Sequence, residues 1–242
     1  MTRATEWARR AEDLYASAYA RKYREHDDQL HDVEAYRAFC RWLAEVCDRF
    51  GRVIDVLDLG CGTGRYFAAL KHVRELVGID ASAAMLDEAA HPVDAARITA
   101  GAIRLVHGDV LTHDFAPAGF DLVYSIGVLA EHTPFDGRIV ANVCRWLRPG
   151  GRFAFTTVHP DSSSIPRTMR RTIGRTLLPW TMGPVRRWLR GQLIAGGHYA
   201  DEAWIAQCLD GQLSIESIDR LESEAHLHCL CVARKETGKA PR

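Results

Sequence analysis

The 242-residue chain has a formal net charge of zero and is 47% apolar, enough for one α/β domain with additions or for two small domains. The balanced charge sets up no global field toward nucleic acid, no stretch approaches the ~20 apolar residues that span a membrane, and the early charges Arg3 and Glu6 interrupt any signal-peptide core. Seven cysteines, an odd number with no Cys-x-x-Cys spacing, read as reduced thiols of a cytoplasmic protein.

Residues 4–24 are expected to form one helix, with Trp7, Ala11, Leu14, Tyr15 and Ala18 as its apolar stripe. Tyr15, Tyr19 and Tyr23 recur every fourth position and share a face. A second helix is expected over 33–50, stopped by Gly51.

Val53-Ile54-Asp55-Val56-Leu57 is a short apolar run with β-branched residues, the mark of a buried parallel strand. Asp58-Leu59-Gly60-Cys61-Gly62-Thr63-Gly64 follows as a turn with glycine at every second position, and Arg65 onward is expected to open a helix. Glycines there permit unusual dihedrals and close approach of a ligand. The dinucleotide fingerprint would need glycine where Arg65 stands, and no Gly-Lys-Ser/Thr follows to make a phosphate-binding P-loop. The carboxylate of Asp58 suits a ligand carrying an ammonium group, such as a methionine moiety, and is awkward beside a pyrophosphate. Asp58-x-Gly60-x-Gly62-x-Gly64 resembles motif I of the class I S-adenosylmethionine-dependent methyltransferases, small-molecule type.

The remaining elements follow at matching intervals. Leu76 to Asp80 reads as a second strand, with Asp80 about 20 residues after Asp58, the offset of ribose-binding acids in related folds; its carboxylate can accept from both ribose hydroxyls. Ala81 begins the next helix, Ser82 is a candidate cap, and Met85 is expected near the adenine. A third strand runs from Ala102 into Gly108-Asp109-Val110. The resemblance implies that Asp109 accepts from the adenine amine while the Val110 amide meets the ring; capping of a local turn is the alternative for Asp109. The fourth strand ends at Ser125-Ile126-Gly127, where the resemblance places the transferred methyl. Val128-Leu129-Ala130-Glu131-His132 resembles the family's Leu-Glu-His segment, with Ala130 inserted. Thr133-Pro134-x-Asp136 reads as a helix start, Leu147-Arg148-Pro149-Gly150-Gly151 is a further family hallmark, and Arg152–Val158 is strand five.

Between Asp161 and Asp201 the only charged side chains are arginines, from Arg167 to Arg190, interleaved with Trp180 and Trp188. Gly183-Pro184 separates two expected helices and Gly196-Gly197 offers a hinge. The resemblance puts a substrate cap here; a solvated helical face is the alternative. A helix over 200–209 and strands over 213–218 and 226–233 complete the chain, the last two antiparallel because their link is too short for a crossover. The tail from Lys235 is expected to be disordered.

The expected architecture is α/β: a Rossmann-like, seven-stranded, mostly parallel sheet with an antiparallel last strand, helices on both faces and a helical cap. The expected divisions are an N-terminal helical cap (1–50), a cofactor-binding core (51–159), a substrate-cap insertion (160–200) and a C-terminal completion of the sheet (201–242). The implied cofactor is S-adenosylmethionine, with S-adenosylhomocysteine as product and no metal. Its expected contacts are Asp58, Gly60, Cys61, Gly62, Gly64, Asp80, Ala81, Met85, Asp109, Val110, Ser125 and Ile126, with Tyr15 or Tyr19 from the N-terminal helix. His132, His159 and His198 are the candidate bases or acceptor contacts. Missing motifs for adenine-amine, cytosine-C5, protein-arginine and magnesium-catechol chemistry leave a small, anionic or planar heteroaromatic metabolite as the expected acceptor. RNA or a membrane lipid or quinone held by the arginine segment is the competing acceptor, and a non-catalytic cofactor-binding module the competing class.

Overall fold

Alternation within the first strand sets the architecture. Every residue of β1 (Ile54–Leu59) is buried. Ile54 and Val56 enter one apolar cluster and Leu57 and Leu59 another, because successive side chains point to opposite faces. Such a strand needs cover on both sides. A computed structural model describes residues 5–27, 29–30, 33–163, 199–223 and 226–237. It places α3 (Glu34–Asp48) and α4 (Ala83–Ala89) on one face, and α5 (Gly137–Trp146) and α6 (Glu202–Leu209) on the other.

The remaining strands are β2 (Val73–Asp80), β3 (Ala102–His107), β4 (Phe120–Ser125), β5 (Leu147–Val158), β6 (Ser214–Glu222) and β7 (Leu227–Arg234). Their order is β3-β2-β1-β4-β5-β7-β6. β7 runs antiparallel to β5 and to β6, and the other pairings are parallel. This is the expected seven-stranded sheet with a reversed last strand. The order turns back between β1 and β4, which opens a crevice at the carboxyl ends of these strands.

Four local expectations are corrected. The first helix does not run unbroken over 4–24: it divides into α1 (Glu6–Leu14) and α2 (Ser17–Asp27), since Tyr15 leaves helical geometry and its carbonyl accepts from Ser82 Oγ at 2.8 Å. The helix expected after Gly64 is a single 3-10 turn, Phe67–Ala69. The link to β2 is too short for a crossover helix, and α3 packs over Phe67 and Leu70 in its place. α5 is capped by Asp136, whose Oδ1 accepts from Arg138 N at 2.9 Å, rather than by Thr133. Lys235, expected to begin a loose tail, donates from Nζ to the carbonyls of Cys144 and Leu147, each at 2.7 Å. The cap helices and hinge expected within 164–198 lie outside the described residues.

The amino end of the sheet is tied by charge. Asp121 accepts from Arg52 (2.7 Å), Arg148 (2.6 Å) and the Asp55 amide (2.9 Å). Asp55 pairs with Arg74 Nε (2.8 Å) and Arg148 Nη2 (2.8 Å). Both acids are buried, and the arginines hold both carboxyls below the usual range.

Candidate active site

At the opposite end of the sheet one cleft is bordered by the exits of β1, β2, β3 and β4 and roofed by α1 and α2. Of the residues expected to meet a ligand, Asp58, Gly60, Cys61, Gly62, Asp80, Ala81, Met85, Asp109, Val110, Ile126, His132 and Tyr15 line it. The glycine turn comes this close because it adopts backbone that side chains resist. Gly60 has φ 75°, and a Cβ there would lie 2.5 Å from Val128 Cγ2. Gly62 has φ 54° and faces open space, room that a ligand can use.

The three acids differ in their partners. Asp58 is buried, and its Oδ2 accepts from Tyr124 OH at 2.6 Å. Among the described residues no cation pairs with it, and burial pushes its pKa up to about 8. Asp80 accepts the Gly62 amide at 2.8 Å and the Ser82 amide at 2.9 Å, which ties the glycine turn to the start of α4; burial raises its pKa too. Asp109 accepts from Leu111 N at 2.9 Å and from Thr5 N at 2.8 Å. It therefore caps the local turn that was its alternative, while still lining the cleft. A carboxylate oxygen has lone pairs for a second donor, so neither Asp80 nor Asp109 is saturated.

The roof is bolted to each loop beneath it. Asp27, at the end of α2, accepts from Thr63 Oγ1 and from Arg65 Nε (2.7 Å), both in the glycine turn. The Arg65 guanidinium lies 4.4 Å from the centre of the Tyr23 ring. Tyr15 OH meets His132 Nε2 at 3.0 Å. Sequence reasoning passed over Asp27, Thr63 and Arg65. Asp27 sits 36 positions from Thr63, and nothing in its neighbourhood distinguishes it from an ordinary acid on a charged helix.

Between β4 and α5 the chain turns tightly. Ala130 N donates to Thr133 O (2.7 Å), and the amides of His132 (2.9 Å) and Thr133 (3.0 Å) donate to Val128 O. The inserted Ala130 takes φ 62°, a left-handed conformation. Glu131 is carried inward by this turn, and burial pushes its pKa up to about 7.

Several expected contacts lie off the cleft. Gly64 packs against Phe67 and Pro92. Ser125 is fully buried and donates to Leu59 O at 2.8 Å, joining two strands. Tyr19 is 44% exposed, and Tyr23 turns to the cleft instead. His159 is buried between β5 and α6: its Nδ1 accepts from Asp161 N at 3.0 Å, and Nε2 lies 3.4 Å from Glu202. His198 lies outside the described residues. His159, Glu202 and Cys229 bring potential metal ligands together. Because the Asp161 amide occupies the Nδ1 lone pair, the Nε2 side faces Glu202, and the His159–Glu202 pair reads as a polar bolt between β5 and α6.

The cleft fits a nucleoside carrying an amino acid: an uncompensated buried carboxyl at one end, an acid at the β2 exit, and glycine backbone open to contact. Comparisons with known proteins agree. The profile of the family described as "Methyltransferase domain" matches residues 56–151. A ubiquinone biosynthesis O-methyltransferase of Coxiella burnetii is 30% identical over 105 residues, 43% of this chain and 43% of that protein. A malonyl-[acyl-carrier protein] O-methyltransferase of Enterobacter lignolyticus is 38% identical over 117 residues, 47% of this chain and 41% of that protein. The chain thus matches less than half the length of either curated relative. The N-methyltransferase NodS of Bradyrhizobium japonicum, solved with S-adenosylhomocysteine, superposes with a TM-score of 0.60 at 19% identity, covering 86% of this chain and 90% of that one. All seven cysteines are free thiols, and no helix among the described residues is long and apolar enough to cross a membrane. Residues 56–151 thus match a methyltransferase domain, on the sheet order shared with S-adenosylmethionine-dependent methyltransferases of known structure.

Proposed function

We propose that the chain transfers the methyl group of S-adenosylmethionine to nitrogen or oxygen of a small-molecule acceptor in the cytoplasm. The observation that carries this reading is Asp58, buried beside the glycine turn with no cation among the described residues to neutralise it. A ligand ammonium supplies that charge. The cofactor contributes an electrophilic methyl on sulfur, whose thioether leaves without acid assistance, so no metal is invoked.

The protein's tasks are alignment and exclusion of water. Asp58 holds the amino-acid end. The Gly62 and Ser82 amides orient the Asp80 carboxylate toward the ribose hydroxyls. Asp109 and the Val110 amide take the adenine edge, with Met85 against the ring. Tyr15 and Tyr23 close the roof, and the His132–Tyr15 pair stands at the β4 exit, on the acceptor side. The arginine segment bears on the RNA and lipid alternatives but lies outside the described residues. The curated relatives, named as O-methyltransferases, support a methyl acceptor of metabolite type.

Two measurements test this. Calorimetry with S-adenosylhomocysteine should show binding that Asp80→Ala weakens by about 1.5–3 kcal/mol, the cost of losing hydrogen bonds to a charged group. Incubation with methyl-labelled cofactor and a fractionated metabolite extract should yield a labelled small molecule. Failure to bind would overturn the reading, and binding without turnover on any fraction would favour a non-catalytic module.

A further inference from the structure

The turn after β4 buries a carboxylate oxygen that no donor reaches among the described residues. Gly127, Val128, His132 and Thr133 line the cleft. Glu131 lies in the same turn, behind the lining residues, with Oε1 sealed from solvent and unbonded among the described residues, and close enough to bear electrostatically on Tyr15 and Tyr23, which line the cleft. An unsatisfied buried acceptor costs stability, and more when charged. The left-handed backbone of Ala130, beside Glu131, adds strain. A strained backbone and an unpaired acid, placed together where the acceptor must arrive, are costs that a bound ligand can offset.

We propose that Glu131 receives the acceptor's proton, and that the acceptor's nucleophile is an amine which enters as its ammonium ion. This rests on the cleft being a methyltransferase site. The groups that face Glu131 do not already serve it. Tyr15 and Tyr23 approach from the roof; burial raises the pKa of both phenols and the nearby carboxylate adds to it, with no hydrogen bond from either to Glu131 Oε1. His132, in the same turn, is engaged by Tyr15 OH. Arg65 is committed to Asp27 and to the Tyr23 ring.

Burial selects an amine over a hydroxyl. Proton transfer from an ammonium to a carboxylate removes two charges from a poorly solvated site, whereas transfer from a hydroxyl only relocates one. The balance is simple. R–NH3+ gives a proton to the Glu131 carboxylate, leaving R–NH2 and a carboxylic acid. The nitrogen lone pair then forms the N–C bond as the C–S bond breaks, giving an N-methylammonium and a neutral thioether. Glu131 returns its proton to solvent as product leaves. Burial alone sets the Glu131 pKa near 7, so its ionised fraction rises across the neutral range.

The test uses sinefungin, an analogue that carries an ammonium-bearing carbon in place of the methylsulfonium, against S-adenosylhomocysteine, which carries neither charge at that point. Calorimetry on the full chain from pH 6 to 8 should show the affinity ratio rising in favour of sinefungin by about tenfold, the change in ionised fraction of a group titrating near 7. In Glu131→Gln the ratio should be flat and S-adenosylhomocysteine affinity unchanged; Glu131→Asp should keep part of the rise. A wild-type measurement stands without variants: at pH 7 both ligands should release the proton of Asp58, and sinefungin should release more than S-adenosylhomocysteine by the share that Glu131 holds, read from heats in buffers of different ionisation enthalpy. A flat wild-type ratio, an equal rise in Glu131→Gln, or equal proton release for both ligands overturns the proposal. Absence of S-adenosylhomocysteine binding overturns the methyltransferase reading, and this proposal with it.

Discussion

β1 carries two buried aspartates near its opposite ends, and they have opposite surroundings. Asp55 is 4% exposed and Asp58 3%, yet among the described residues Asp55 meets two arginines while Asp58 meets only the Tyr124 hydroxyl. The arginines hold Asp55 below the ordinary carboxylate range, and desolvation lifts Asp58 well above it. Burial is therefore not what separates a structural acid from a binding acid here; the counter-charge is. At the amino end of the sheet the chain supplies its own cations. At the carboxyl end Asp58 and Glu131 have no such cation among the described residues.

The strongest way to break this contrast is at the amino end. Arg148→Ala removes a cation shared by Asp55 and Asp121 and should cost about 3 kcal/mol, the lower end for stranding a buried charge because Arg148 is partly exposed and Arg52 and Arg74 remain. Urea denaturation measures the loss, and S-adenosylhomocysteine affinity of the folded fraction should not change. Unaltered stability would show that the network is not what holds this end.

Asp58→Asn should do the reverse: stabilise the empty protein and weaken the ligand. The sign follows from linkage. Asp55 and Asp121, with depressed values, contribute stability that is present above the unfolded carboxylate value of about 4 and lost as pH falls through their folded values. Asp58 keeps a proton that the unfolded chain releases above about pH 4, so its stability contribution fades as pH rises toward about 8. Melting curves of variant and wild type should thus coincide near pH 4 and diverge progressively toward pH 8, with the variant the more stable. Its S-adenosylhomocysteine affinity should fall by about 2 kcal/mol. A variant less stable at pH 8 would mean that Asp58 has a cation after all.

The smallest expected effect sharpens the comparison within the carboxyl end. Ala130→Gly should relieve the left-handed strain and raise stability by about 0.5–1 kcal/mol in thermal melts. A loss instead would mean that the alanine methyl packs well enough to outweigh its backbone cost.

Much of this was legible in the chain because the signals are local. Glycines at 60, 62 and 64, with acids at 58, 80 and 109, announce the nucleotide loops by spacing, and all of these but Gly64 line the cleft. The reversed final strand followed from the short link before Leu227. Long-range hydrogen bonds were not legible. Tyr15 breaks the first helix because Ser82, 67 positions away, donates to its carbonyl, and no propensity at Tyr15 records that. His159 looked like a base from its place after β5; only the Asp161 amide and Glu202 show that both ring nitrogens are engaged. Ala130 looked like an insertion in a motif, and its backbone angle gave the insertion a role.

The bolts between roof and core also fix an order in time. Thr5 reaches Asp109 across 104 positions, and Tyr15 reaches His132 across 117. Neither contact can form until β3 and β4 have paired with the sheet, so α1 and α2 are the earliest helices in the chain and among the last to dock. Unfolding should run the sequence backwards. The two helices open as a cooperative unit while the seven strands stay paired, and amide exchange in 6–27 should outpace exchange in β1 and β4. The binding site would then be lost before the fold, so a scan that reports only secondary structure would overstate the temperature at which the protein remains able to bind.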